Sequence, residues 1–200
     1  MRQIVLILAV LAASAPAKAQ SWKEFRDPAY SFGVSFPGDP EITTTTYQAA
    51  DGRAVEARVY SLAEDNAVFK VTIAEIADPA LDEKAVIDQA ISNLAQGGDI
   101  KVNIAHRVGR VFGRQLSIAE ADGSRLSAAV FYVNGRLYQI EGKALATGED
   151  ATGEAIRFQQ SLIFTDRASN RPAGERRGGD RPGRRGPAAP PDVDKQQPLQ

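Results

Sequence analysis

Three stretches of alternating apolar and polar residues, 114–121, 124–133 and 136–143, follow one another with only Asp122-Gly123 and Asn134-Gly135 between them. No feature of the chain constrains its fold more. Alternation over eight to ten residues is the pattern of a strand with one buried face. Asp-Gly and Asn-Gly supply the positive φ angles that a tight type I′ hairpin turn demands. The spacing therefore predicts an antiparallel meander of three strands.

The same logic extends upstream. Phe32, Val34 and Phe36 alternate before Pro37-Gly38, and Glu41 to Gln48 (EITTTTYQ) is rich in β-branched threonine, which suits a half-exposed strand. Asp51-Gly52 marks a turn; residues 53–62 alternate through Val55, Ala57 and Val59; Asp65-Asn66 turns the chain again; and residues 67–76 place Phe69, Val71 and Ile73 on one face. Three or four more antiparallel strands follow. The period then changes. Ile87, Ile91 and Leu94 recur at helical spacing between Asp82 and Gln96, with Val86 and Ala90 widening the stripe. Asp78-Pro79 reads as the helix entry and Gly97-Gly98 as its stop. Strand pattern returns over residues 100–108, and the glycines at 109 and 113 predict a break before the meander. A last helix is expected from Thr147, with Asp150 as its capping-box acid and Ala155, Phe158 and Leu162 on its apolar face.

Strands, helix, strands, helix, joined mostly by hairpins, predict the α+β class: an antiparallel sheet with two main helices packed on it. A closed barrel of the lipocalin kind is the structural alternative, which the central helix disfavours.

The two ends of the chain read differently. Arg2, the ten apolar residues from Ile4 to Ala13 and the Ala17-Lys18-Ala19 segment form the three-part pattern of a secretory signal, with cleavage expected after Ala19. Ten apolar residues are about half of what a spanning helix needs. No cysteine follows the run, so a lipoprotein anchor is excluded, as is all thiol chemistry. The expected organisation is a signal peptide over 1–19, one α+β domain over 20–166 and a disordered tail over 167–200. The tail holds seven arginines, six prolines and five glycines, with Val193 and Leu199 as its only sizeable aliphatics. Such a composition buries too little apolar surface to offset ordering entropy. Net charge is divided accordingly, −7 over residues 20–166 and +4 over the tail. An acidic domain argues against nucleic-acid binding.

The segment Phe32-Gly33-Val34-Ser35-Phe36-Pro37-Gly38-Asp39-Pro40 resembles the "F-x-V-x-F-P-G-x-P" opening of exported domains related to the PsbP photosystem subunit and to bacterial DcrB-like proteins. Asn93-Leu94, Gly113-Arg114, Asn134 to Tyr138 and the closing Phe158 with Ser161-Leu162 follow that pattern in order, from about Trp22 to Thr165. The resemblance implies an α-β-α sandwich on an antiparallel sheet, an accessory or binding role, and no catalytic motif.

Candidate chemistry is sparse. His106 is the single histidine, placed by alternation on one face with Ile100, Val102, Ile104 and Val108. A zinc site needs about four nitrogen or sulfur ligands, which this chain does not offer. A hydrolase would have to use His106, with no local serine or acid to complete a triad. The acidic pairs Glu64-Asp65, Asp82-Glu83 and Glu149-Asp150 are the only calcium candidates, and each sits where a turn or helix start favours acids. Trp22, Phe25 and Tyr30 are expected to dock the N-terminal segment onto the domain, with a partner-binding segment as the alternative. No catalytic, cofactor or metal residue is assigned. The leading expectation is a periplasmic or secreted, non-enzymatic accessory or binding protein that holds an envelope protein or small ligand at its surface. A hydrolase-like enzyme using His106, and an adaptor whose arginine-rich tail meets anionic envelope surfaces, are the alternatives.

Overall fold

The computed structural model describes residues 21–76, 82–147 and 149–165. Ten strands and two helices run in the order β1 (Lys23–Asp27), β2 (Phe32–Phe36), β3 (Glu41–Gln48), β4 (Ala54–Ala63), β5 (Ala67–Glu75), α1 (Glu83–Leu94), β6 (Gly98–Val108), β7 (Val111–Glu120), β8 (Arg125–Val133), β9 (Arg136–Ala144), α2 (Thr152–Gln160) and β10 (Ile163–Phe164). The α+β class is as expected. The proposed signal peptide, the Asp78-Pro79 entry and the tail lie outside the described residues.

Seven strands form one open antiparallel sheet in the order β3-β4-β5-β9-β8-β7-β6. Two meanders, β3-β4-β5 and β6 to β9, meet where β5 pairs with β9 from Ala67 opposite Ala144 to Glu75 opposite Arg136. The sheet ends at β3 and β6, so the barrel alternative is overturned. A barrel would pair those two strands, and the chain instead uses α1 to carry itself from one side of the sheet to the far edge. The second sheet was not foreseen. β2 leaves the expected first meander and pairs with β1 and β10.

Each face of the large sheet has its own core. Val86, Ile87, Ala90 and Ile91 of α1 pack on Leu116, Ile118, Ala128, Val130 and Leu137. On the other face the small sheet and α2 cover Phe69, Val71, Phe131 and Ile140. Phe158 of α2 binds this layer together, with ring centroids 4.8 Å from Phe36 and 5.2 Å from Phe69. Such aromatic pairs add about 0.5–1.5 kcal/mol each beyond their buried area. Trp22, Phe25 and Tyr30 pack against this core, in agreement with docking of the N-terminal segment.

Local chemistry explains the ends of the elements, with three corrections. Asp82 caps α1 by accepting from the Lys84 N–H, and Glu83 follows in the first turn, where the helix dipole favours an acid. α2 begins at Thr152 rather than Thr147; Asp150 Oδ1 accepts from the Thr152 N–H at 3.0 Å. Asn134 and Gly135 both have positive φ, as a type I′ turn requires, but at Asp122-Gly123 only the glycine does. There Gly123 N–H donates to the Glu120 carbonyl at 3.0 Å and Glu120 N–H to Ser124 at 2.9 Å, a type I turn closed by a left-handed glycine. The expected break over 109–113 is only the two-residue turn Gly109-Arg110. Gly113 is an interior strand residue, paired with His106 and Phe131, and it is glycine because any Cβ there would lie 2.2 Å from the Val130 carbonyl oxygen.

Candidate functional site

The two helices are centred on β8 and β9, with α2 reaching β5. The β6–β7 hairpin at the end of the sheet therefore lies beyond the main cover on both faces. Its composition does not match that exposure. Ile100 is 37%, Val102 39%, Ile104 53% and Phe112 66% exposed, four of the seven large hydrophobic side chains exposed among the described residues. Large apolar groups gathered in water mark an interaction surface more often than an accident of composition.

A β-bulge decides which face each residue occupies. Ile100 pairs with Ile118, but Val102 pairs with Ser117, so the register shifts around Lys101. Ile118 and Ser117 point to opposite faces, and their partners do likewise. Ile100 therefore sits on the α1 side, while Val102, Ile104, His106 and Val108 sit on the α2 side. The expected grouping of Ile100 with His106 is corrected on this ground: simple alternation cannot register an extra residue.

On the α1 side an open groove of about 530 Å³ runs between the start of α1 and the β6–β7 hairpin. Ile87 and Phe112 supply apolar surface, and Arg107 lies over the Phe112 ring at 6.0 Å. One wall is acidic, formed by Asp82, Glu83 and Asp88. Lys84 pairs with Asp88 one turn on, and this contact holds the lysine above its ordinary pKa. The opposite wall carries Arg114. Its Nε donates to Asn103 Oδ1 at 2.8 Å and its Nη2 to the Asn103 carbonyl at 2.9 Å, so the guanidinium is held across the hairpin. The groove thus presents apolar surface between an acidic rim and a fixed cation. No hydroxyl, thiol or imidazole lines it. Its polar groups are carboxylates, cations and one amide.

His106 belongs to the other face. Its ring lies 5.7 Å from that of Phe131, and burial holds its pKa below the ordinary histidine value. Among the described residues no serine or acid is hydrogen-bonded or ion-paired to it. Among those residues no group of three or more histidine, cysteine, aspartate or glutamate side chains could hold a metal ion. Of the acidic pairs, Asp82 caps α1 and Asp150 holds the start of α2.

One buried acid escaped the sequence reading. Glu141 is 9% exposed in the middle of β9, with Lys70 Nζ 2.9 Å away. Burial raises its carboxyl pKa, against the opposing pull of Lys70. Lys143 beside it pairs with Glu120 and, at 3.7 Å, with Asp122. This charge ladder spans neighbouring strands and is satisfied within the sheet. Alternation does show Lys70, Glu141 and Lys143 at positions facing the α1 side, but only the β5–β9 pairing sets the acid against its lysine.

No family model matches the chain, and no curated protein matches it. Solved structures do. The cyanobacterial PsbP protein CyanoP of Synechocystis is 15% identical with a TM-score of 0.49, the match covering 77% of this chain and 98% of that one. A Pseudomonas aeruginosa protein of unknown function, PA94, is 8% identical with a TM-score of 0.35, covering 62% of this chain and 83% of the other. A PsbP protein thus stands among the structures to which the chain is similar. No helix among the described residues is long and apolar enough to cross a membrane.

Proposed function

We propose that this is an exported, non-enzymatic binding protein of the bacterial cell envelope, and that its contact surface is the groove between α1 and the β6–β7 hairpin. The observation that carries the reading is Phe112. A phenylalanine 66% exposed, beside a fixed arginine and opposite an acidic helix start, is a poor way to finish a surface and a good way to hold a ligand. The chemistry fits a segment of another envelope protein. An apolar side chain of that segment would lie on Phe112 and Ile87, with a basic residue toward Asp82 and Glu83 and an acidic one toward Arg114. Export rests on the sequence: Arg2, the apolar run from Ile4 to Ala13, and the small residues before the expected cleavage after Ala19. The domain limits at 20–166 and the tail over 167–200 belong to the same proposal.

A photo-crosslinking amino acid at position 112, expressed in cells, tests it. A discrete adduct heavier than the protein, different in mass from a homodimer and lost when Arg114→Glu is added, is expected. The same probe at Thr44, on the opposite edge of the sheet, should give none. Absence of any adduct from position 112, or equal yields from both positions, would overturn the reading.

A further inference from the structure

β6 ends the large sheet, and among the described residues no strand pairs with its outer edge. It is the longest strand, at eleven residues, and Asp99 to Ala105 are all exposed. An edge of this length presents a row of unpaired N–H and C=O groups, which natural proteins ordinarily blunt. The opposite edge strand, β3, is polar, with Glu41 and four consecutive threonines. β6 instead carries Val102 and Ile104 side by side on one face, beyond the reach of α2.

The sequence of β6 is complementary to itself when reversed. Setting Asn103 opposite its own copy in an antiparallel pair places Val102 against the partner's Ile104, and Ile104 against the partner's Val102. Two apolar cross-strand pairs form at once. In the same register Lys101 meets the partner's Ala105. Asp99, the only acid of the strand, reaches the partner's His106–Arg107 end, twice over because of the symmetry. Moving the centre one residue, to Ile104, would set Lys101 against the partner's Arg107 and so oppose like charges. The bulge at Lys101 leaves Val102 to Ile104 regular at the centre of the pair, and each copy's bulge falls opposite the partner's Ala105. We propose that the protein is a symmetric dimer in which the β6 edges of two copies pair antiparallel about Asn103, joining two seven-stranded sheets into one. The interface is isologous, as two-fold symmetry requires. It does not depend on what fills the groove beside α1.

The chain has no cysteine, so one introduced thiol reports the register directly. Residues opposite one another in an antiparallel pair have Cα atoms about 4.5–5.5 Å apart, within the range a disulfide spans. The purified mature chain should sediment as a dimer at micromolar concentration. Asn103→Cys should form an intermolecular disulfide under mild oxidation, and Thr44→Cys, on the β3 edge, should not. Ile104→Asp should raise the dimer dissociation constant by more than about tenfold while leaving the melting curve of the monomer intact, because Ile104 is already half exposed. A monomer at every concentration would overturn the proposal. So would crosslinking through Thr44→Cys in place of Asn103→Cys, or a dimer indifferent to Ile104→Asp. Because these experiments use the protein alone, they can fail without touching the reading of the groove.

Discussion

Replacing Gly142 by alanine isolates the seat of α2 on the sheet. A Cβ at that position would lie 2.3 Å from the carbonyl oxygen of Ala155 and 2.7 Å from its Cα. Both are backbone atoms of the helix, so no change of rotamer relieves the clash. Ordinary contact begins near 3.4 Å, and α2 must therefore withdraw by about 1 Å. A gap of that size forfeits roughly a quarter to a half of the dispersion attraction across it. The loss falls on Ala155 and Phe158, both buried in the core. Overpacking of this kind costs about 1–3 kcal/mol, and the loosened aromatic contacts of Phe158 bring the expected total to about 2–4 kcal/mol. For a domain of this size each kcal/mol moves Tm by about 2–4 °C, so a fall of roughly 5–15 °C is expected. Urea unfolding followed through the fluorescence of Trp22, the single tryptophan, gives the same quantity at 25 °C as a lower midpoint with an unchanged slope. Gly153→Ala is the control. Gly153 lies in the first turn of α2 with no heavy atom within 4 Å of a Cβ, so alanine there should stabilise by about 0.4–1 kcal/mol. If Gly142→Ala stays within about 0.5 kcal/mol of the wild type, the direct contact of α2 on β9 does not bear the load assigned to it.

Two further expectations concern pH. The carboxyl of Glu141 is raised by burial, so its contribution to stability is present below the ordinary carboxylate value and is lost as pH rises through the folded value. Glu141→Gln should therefore gain on the wild type as pH climbs from acid to neutral in thermal melts; a difference that stays constant with pH refutes the assignment. His106 has the opposite sign: its folded pKa is lowered by burial, so its contribution is present above the ordinary histidine value and is lost as pH falls through the folded one. NMR titration should place its midpoint below 6.5, and His106→Phe should lessen the acid-side loss of stability; a midpoint at or above 6.5 would contradict this.

The strands from β3 to β9 and the amphipathic face of α1 were legible because turn chemistry and side-chain period act over a few residues. Asn134-Gly135 adopts the positive φ angles its composition demands, whatever surrounds it. EITTTTYQ occupies all of β3, as alternation and threonine content lead one to expect. The groove was legible only in parts. Asp82 and Glu83 announce a helix start and Phe112 an apolar residue near a turn, but nothing local brings them together.

What the sequence determined by itself was the class of the fold, most of its strands, and, with no cysteine in the chain, the exclusion of thiol chemistry. What the tertiary structure decided was which strands are neighbours. Period shows that a residue faces inward without showing what it faces, and the entropy of closing a long loop grows too slowly with length to forbid distant partners. Pairing of β5 with β9, and the departure of β2 to join β1 and β10, follow from the need to bury both faces of one sheet at once. The same need makes Gly142 a point of close approach and turns Gly113 from an apparent breaker into another. It also leaves β6, at the end of the sheet, beyond the helices, and exposed apolar side chains gather along it and at Phe112.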